Sequence, residues 1–279
     1  MPASEHGADY DQLMWISFAI IFFVQTVTQF LLHYFGYKYR GEEGKKALFY
    51  ADNDKLEFIW TIIPVIVLAS LILYGLYSWV NIMDINDEDD PLVVELYAQQ
   101  FNWTARYGGD DNVLGDASVR LIDINSANVL GLDSGDPNGA DDVIVKELHL
   151  PVGRKVNFFM RSQDVLHSAY MPHFRAQMNC VPGMVTQFSF TPSVTTEEMR
   201  LQPEIVDKVK RTNALRAARA AEGDPNSEPW EFDYVLLCNK ICGKSHYNMQ
   251  MKIIVESEED FNKWLKEQKT FGETVTALP

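Results

Sequence analysis

Residues 238–249 read Cys238-Asn-Lys-Ile-Cys242-Gly-Lys-Ser-His246-Tyr-Asn-Met249, placing two thiols, an imidazole and a thioether within one short stretch. Thiolate and thioether are soft ligands that select copper, and imidazole suits copper as well. A one-copper site of the blue type uses a single Cys with two His and a weak axial Met. The second Cys, four residues on, is one thiolate more than that site needs. Two thiolates can instead bridge two ions, each completed by one His, so a second His must come from elsewhere. A Cys-x3-Cys pair alone would also suit a disulfide or half a zinc site, but structural zinc draws on Cys and His and not on Met.

His167, in Asp164-Val-Leu-His167-Ser168, is the candidate second imidazole. Residues Gly153–Arg161 just before it have the pattern of a half-buried strand feeding a loop. Asp164 is placed to orient that loop, as carboxylates behind metal-ligating His residues do.

Further β-rich runs frame these segments: Leu92–Trp103, Ala117–Ile124, Val143–Pro151, Lys155–Arg161, Met184–Thr191, Phe232–Leu237 and Met249–Glu256. Short strands with turn signals and no long helix between most of them predict an all-β Greek-key sandwich or barrel over residues 82–257. Ala-rich spacing studded with Arg and Lys predicts a helical insertion over about 203–222. Its basic face (Lys208, Lys210, Arg211, Arg216, Arg219) is either solvated or set against a partner subunit. A second, amphipathic helix over Glu258–Lys269 opens the 258–279 segment. The polar stretch 133–142 lacks the EF-hand spacing and its closing Glu, so a solvated loop is expected there, not a calcium site. Cys180 has no partner left for a disulfide and is expected as a small buried apolar residue.

Residues 13–35 and 58–80 are apolar runs free of Asp, Glu, Lys and Arg. As helices each would cover about 34 Å, enough to cross a bilayer, and Trp15, Tyr34, Tyr37, Trp60, Tyr77 and Trp79 sit near their ends as interfacial aromatics do. A transmembrane hairpin over 13–81 follows. Lys38, Arg40, Lys45, Lys46 and Lys55 lie in the connecting loop, whereas residues 1–12 carry no Lys or Arg. The positive-inside rule therefore places the loop in the cytoplasm, with residues 1–12 and everything from 82 onward outside. With no basic region or small-residue cleavage site ahead of Leu13, the first span reads as a retained anchor. Gln25, Gln29 and His33 recur every four residues on one helical face, which is expected against another protein. From Ile82 onward 31 acidic residues face 19 basic ones, a net −12 of the chain's −15. An acidic external surface could steer a basic partner, and nothing suggests nucleic-acid binding.

Cys238–Met249 together with Asp164–Ser168 resembles the binuclear copper (CuA) site of cytochrome c oxidase subunit II, and the likeness covers nearly the whole chain. The resemblance implies a cupredoxin-like sandwich whose two copper ions are held by His167, Cys238, Cys242, His246, Met249 and the backbone carbonyl of Lys240. It also implies a haem-containing subunit I as partner, where dioxygen is reduced with proton translocation, and a cytochrome c-type donor, whether soluble, fused or permanently bound. Leu56-Glu-Phe-Ile-Trp-Thr-Ile-Ile-Pro64 is similar to the family's second-helix signature, whose acid, here Glu57, lies at the entrance of a proton pathway. The implied location is the bacterial cytoplasmic (inner) membrane, with the copper domain periplasmic.

The chain departs from the family at three places. Lys240 stands where a Glu side chain usually helps bind magnesium shared with subunit I, which a Lys cannot do. Phe101, in Gln100-Phe-Asn-Trp103, stands where a Trp usually accepts electrons; Trp103, two residues on, is expected on the same strand face. Asn179 and Met184 replace an Asp and an Arg. Quinol oxidases share the hairpin and sandwich but lack the copper ligands, and nitrous oxide reductase carries the motif beside a propeller that this chain has no room for. The remaining alternative is a membrane-tethered copper electron carrier without an oxidase partner.

Overall fold

The two apolar runs form the middle of two helices in a computed structural model that describes residues 1–46, 48–85, 90–123, 128–223 and 227–276. Helix α1 is Glu5–Lys38 and α2 is Asp54–Met83, each long and apolar enough to cross a membrane. Their small hydroxyls turn inward: Ser17, Thr26, Thr28 and Ser70 donate to carbonyls one turn earlier. That satisfies these four hydroxyls within their own helices, as a setting without water requires. Asn53 caps α2 through the Leu56 N–H, and Glu57 lies exposed in its first turn. Pro64 is accommodated inside the helix.

The second compact unit comprises Met1–Gly7 and Ile82 onward. Among the described residues ten strands form two five-stranded sheets. They are β1 (Leu92–Gln99), β2 (Asn102–Tyr107), β3 (Val143–Val145), β4 (Leu148–Pro151), β5 (Val156–Ser162), β6 (His167–Met171), β7 (Ala176–Cys180), β8 (Thr186–Phe190), β9 (Tyr234–Cys238) and β10 (Gln250–Glu256). One sheet has the order β3-β2-β1-β5-β8 and the other β4-β10-β9-β6-β7. The β1–β5 and β4–β10 pairs are parallel and the rest antiparallel. Alternation aims Val94, Leu96, Phe158, Met160 and Phe188 from one sheet at Leu150, Ala169, Leu236 and Ile253 from the other, and all are buried in one core. This is the all-β, cupredoxin-like sandwich expected.

Several expected strands are redrawn. Leu92–Trp103 is not one run: Gln100 and Phe101 form the turn between β1 and β2. Val143–Pro151 divides into β3 and β4, which belong to different sheets. Ala117–Leu121 forms no strand but an isolated bridge to Leu132 and a 3-10 turn, and Ile124 lies outside the described residues. This region covers the outer face of the first sheet, where Leu130, Leu132 and Phe271 bury Tyr97. His167, expected in a loop fed by the preceding strand, instead opens β6 of the hairpin β6–β7. The predicted helices are present as α4 (Pro203–Ala221), preceded by the short α3 (Thr196–Arg200), and α5 (Glu258–Glu267), whose Phe261 enters the core; α6 (Phe271–Thr276) follows.

Of the segment 1–12, read as an external N-terminus, Met1–Gly7 belongs to the sandwich unit and the rest to the helical one. Ala3 N–H donates to the His173 carbonyl, Ser193 N–H to the Ala3 carbonyl, and Ser4 Oγ to the Phe174 carbonyl.

Candidate metal centre

His167, Cys238 and Cys242 come from separate elements yet are brought together by sheet register. His167 opens β6 and Cys238 closes β9, and Ala169 pairs with Cys238 between these strands, so the imidazole and the thiol meet at one end of the sheet. The loop from Cys238 to Met249 then folds over that end and returns Met249 to the start of β10, helped by Cys238 N–H donating to the Met249 carbonyl.

The two thiols lie 3.8 Å apart. Cys238 Sγ is 3.7 Å from His167 Nδ1 and 3.2 Å from the Lys240 carbonyl oxygen; Cys242 Sγ is 3.6 Å from His246 Nδ1 and 3.8 Å from Met249 Sδ. Each thiol thus has its own imidazole and one weaker donor. A first-row ion sits about 2.0 Å from imidazole nitrogen and about 2.3 Å from thiolate, so two such ligands of one ion are at most about 4.3 Å apart. Both nitrogen–sulfur pairs meet that bound. His167, Cys238, Cys242 and Met249 are buried. Burial and the neighbouring Cys238 thiol push the Cys242 thiol up to about 11. A deprotonated pair in so buried a pocket calls for cationic charge, which is the condition for metal-coupled proton release. The donor set fits soft metal ions and copper in particular.

Around the donors, Asp164 holds His167 Nε2 at 2.8 Å, leaving Nδ1 toward the thiols. Burial disfavours the charged form of Asp164, but hydrogen bonds from His167 and from the Gln100 and Val165 N–H groups outweigh it and keep this carboxyl below its ordinary value. Trp103 is buried with its ring edge-on to His167, centroids 6.2 Å apart. Phe101 lies half-buried at the β1–β2 turn, so the expected shared strand face does not exist; Phe101 packs instead against Gly243. Lys240 is exposed and offers the centre only its backbone. Cys180 pairs in register with His167, is fully buried, and has its thiol pushed up to about 12 by that burial. It forms no disulfide. Glu57 belongs to the helical unit and is outside this constellation.

The sequence reading missed two residues. Gln100 donates from its amide to the Cys242 carbonyl while its N–H holds Asp164, tying the two metal loops to one turn. Gly243 permits the approach of that turn. A glycine directly after a ligand cysteine was the available signal.

The model of cytochrome c oxidase subunit II, transmembrane domain, matches residues 4–79, and that of its periplasmic domain matches residues 92–198, ending just before α4. The alternative cytochrome c oxidase subunit 2 of Bradyrhizobium diazoefficiens is 34% identical over 273 residues, covering 97% of this chain and 84% of that one. The cytochrome c oxidase subunit 2 of Thermostichus vulcanus is 22% identical, covering 97% and 76%. Among solved structures, the periplasmic domain of cytochrome oxidase subunit II from Bradyrhizobium japonicum aligns with 63% of this chain and 91% of that one, at 18% identity and a TM-score of 0.36. The two domain models and the relative at 34% identity lead to one assignment: the chain belongs to the cytochrome c oxidase subunit II family.

Proposed function

We propose that this subunit of a haem–copper oxidase receives single electrons at a binuclear copper centre held by His167, Cys238, the Lys240 carbonyl, Cys242, His246 and Met249. The observation that carries the reading is the pairing of two adjacent thiols, each with its own imidazole. Copper held by these residues would supply one-electron transfer. The chain supplies the rest. The buried pocket excludes water, Asp164 fixes the His167 tautomer, and Gln100 anchors the cysteine loop. Because both loops are tied to strand ends, the donors are held in place through a redox change. Phe101, half-buried beside Gly243, is where electrons from a cytochrome c-type donor enter, and Trp103 backs His167.

Electrons pass on to haem in a separate subunit I, the site of dioxygen reduction and proton translocation, with Glu57 at the entrance of a proton pathway on the cytoplasmic side. The setting is the bacterial inner membrane, with the sandwich in the periplasm. Magnesium shared with subunit I is not part of this reading, because the Lys240 ammonium repels a cation where the family usually has a carboxylate.

The test is purification of the native protein under mild detergent. A haem-containing multi-span subunit should co-purify, and reduced cytochrome c should reduce copper first and haem next. Isolation of a copper-loaded chain with no haem partner would favour the tethered electron carrier.

A further inference from the structure

Besides its tie to Gln100, the cysteine loop has a second one, which joins the residue after Cys238 to the residue after His167. Asn239 N–H donates to the Ser168 carbonyl at 3.0 Å, Asn239 Nδ2 to Gln177 Oε1 at 3.1 Å, and Gln177 Nε2 to Ser168 Oγ at 3.3 Å. These bonds close a ring through Asn239, Gln177 and Ser168. Ser168 is buried, and its hydroxyl reaches the Met178 carbonyl across the β6–β7 hairpin at 3.5 Å, so one side of the ring is fixed in the sheet. Gln177 and Asn239 are exposed and add nothing to the core.

What the ring holds is the peptide between the two cysteines. The Lys240 carbonyl oxygen stands 3.2 Å from Cys238 Sγ, while the Lys240 side chain is exposed. Cys238 is fixed by its pairing in β9 and the Cys242 carbonyl by Gln100. Among the described residues, no backbone hydrogen bond other than that from Asn239 N–H holds residues 239–241. Without the ring, the Lys240 carbonyl would be free to turn outward to water, where a polar group finds partners at no cost. Its direction matters because a weak axial donor tunes the potential of a copper–thiolate site. A carbonyl oxygen is a hard donor and favours the more oxidised ion.

We propose, on the copper reading above, that Gln177 is a positioning residue of the centre. By way of Asn239 it keeps the Lys240 carbonyl turned toward the thiols and so lowers the potential at which an electron is accepted. Gln177→Met keeps the length of the side chain and removes both of its hydrogen bonds. In the copper-free full-length chain, hydrogen exchange over residues 239–242 should then quicken about threefold or more, the size expected for one surface hydrogen bond. After copper loading, the midpoint potential should rise and the hyperfine pattern should change, with copper content as in the parent. Asn239→Ala should act in the same direction, and the double variant should shift the potential no further than the larger single one, because both break one ring. Parent-like exchange in Gln177→Met, or a parent-like potential and hyperfine pattern, would overturn the proposal. So would additive shifts in the double variant, which would assign the two residues separate effects. Fewer than two coppers in the parent chain would instead overturn the copper reading and the proposal with it, and the exchange result in the copper-free chain separates that failure from a failure of the ring.

Discussion

Gly243 shows how tightly the centre is built at the scale of single residues. It follows Cys242 with φ +144°, and a Cβ there would stand 2.8 Å from Gln100 Nε2 and 2.9 Å from the Phe101 ring. Alanine combines a backbone conformation that L-residues avoid with a clash against the turn that holds the loop. Gly243→Ala should therefore weaken copper retention about tenfold or more, measured by competition with a chelator; unchanged retention would show that the turn does not hold the loop. Asp164→Asn removes the charged partner of His167, and such outer partners typically account for about 10–100-fold in metal affinity. Among the thiols, Cys238→Ser or Cys242→Ser should abolish the binuclear absorption. Cys180→Ser should preserve it, because Cys180 is buried beside the donors without being one of them. Loss of the spectrum in the Cys180 variant would mean that the ligand assignment is wrong.

Among the elements, those with a strong local signal were legible in the sequence: two uncharged spans, the Ala-rich α4, the amphipathic α5, and strands β5, β8, β9 and β10. What stayed hidden depends on contacts distant in sequence. Gln100-Phe101 carries none of the Gly or Asn-Gly turn chemistry that marks a hairpin. The β6–β7 hairpin is interrupted by Pro172 and studded with polar residues, yet it buries His167, Ser168 and Cys180, with β9 alongside it in the sheet. The donor set was readable as residue types, whereas Gln100 and Gly243 depend on how two loops cross.

The outer face of β1 and β2 supplies an element-scale prediction. Arg106, buried on β2, pairs with Glu95 at 2.9 Å and Asp142 at 3.4 Å, and Arg161 also pairs with Glu95. Burial pushes Asp142 up to about 7 against the pull of Arg106. An unfolded Asp titrates near about 4, so between about pH 4 and 7 the folded chain holds a proton that the unfolded chain has lost. This contribution to stability is greatest at the acid end and declines as pH rises toward 7. Asp142→Asn should flatten that fall in melting temperature relative to the parent; parallel curves for the two proteins would remove Asp142 as its source.

For the whole molecule, an acidic domain tethered by two spans sets the encounter with a donor. If the donor is a basic cytochrome c, its association should slow as ionic strength rises, and Phe101→Ala should slow electron transfer while sparing the copper spectrum. A rate independent of salt together with a silent Phe101→Ala would move the donor elsewhere, to a fused or permanently bound cytochrome. Glu57→Ala should lower oxidase turnover without touching copper content, since Glu57 belongs to the helical unit and the copper donors to the other. The copper pair itself is best examined in the full chain, because Ala3 and Ser4 are part of the sandwich and a construction beginning at Ile82 would lack them. The decisive measurement is metal content together with the electron paramagnetic resonance spectrum of the copper-loaded full-length chain. The account predicts two coppers per chain and a hyperfine pattern from one electron shared equally by two copper nuclei. One copper per chain with a single-nucleus pattern, or full occupancy by zinc, would contradict it.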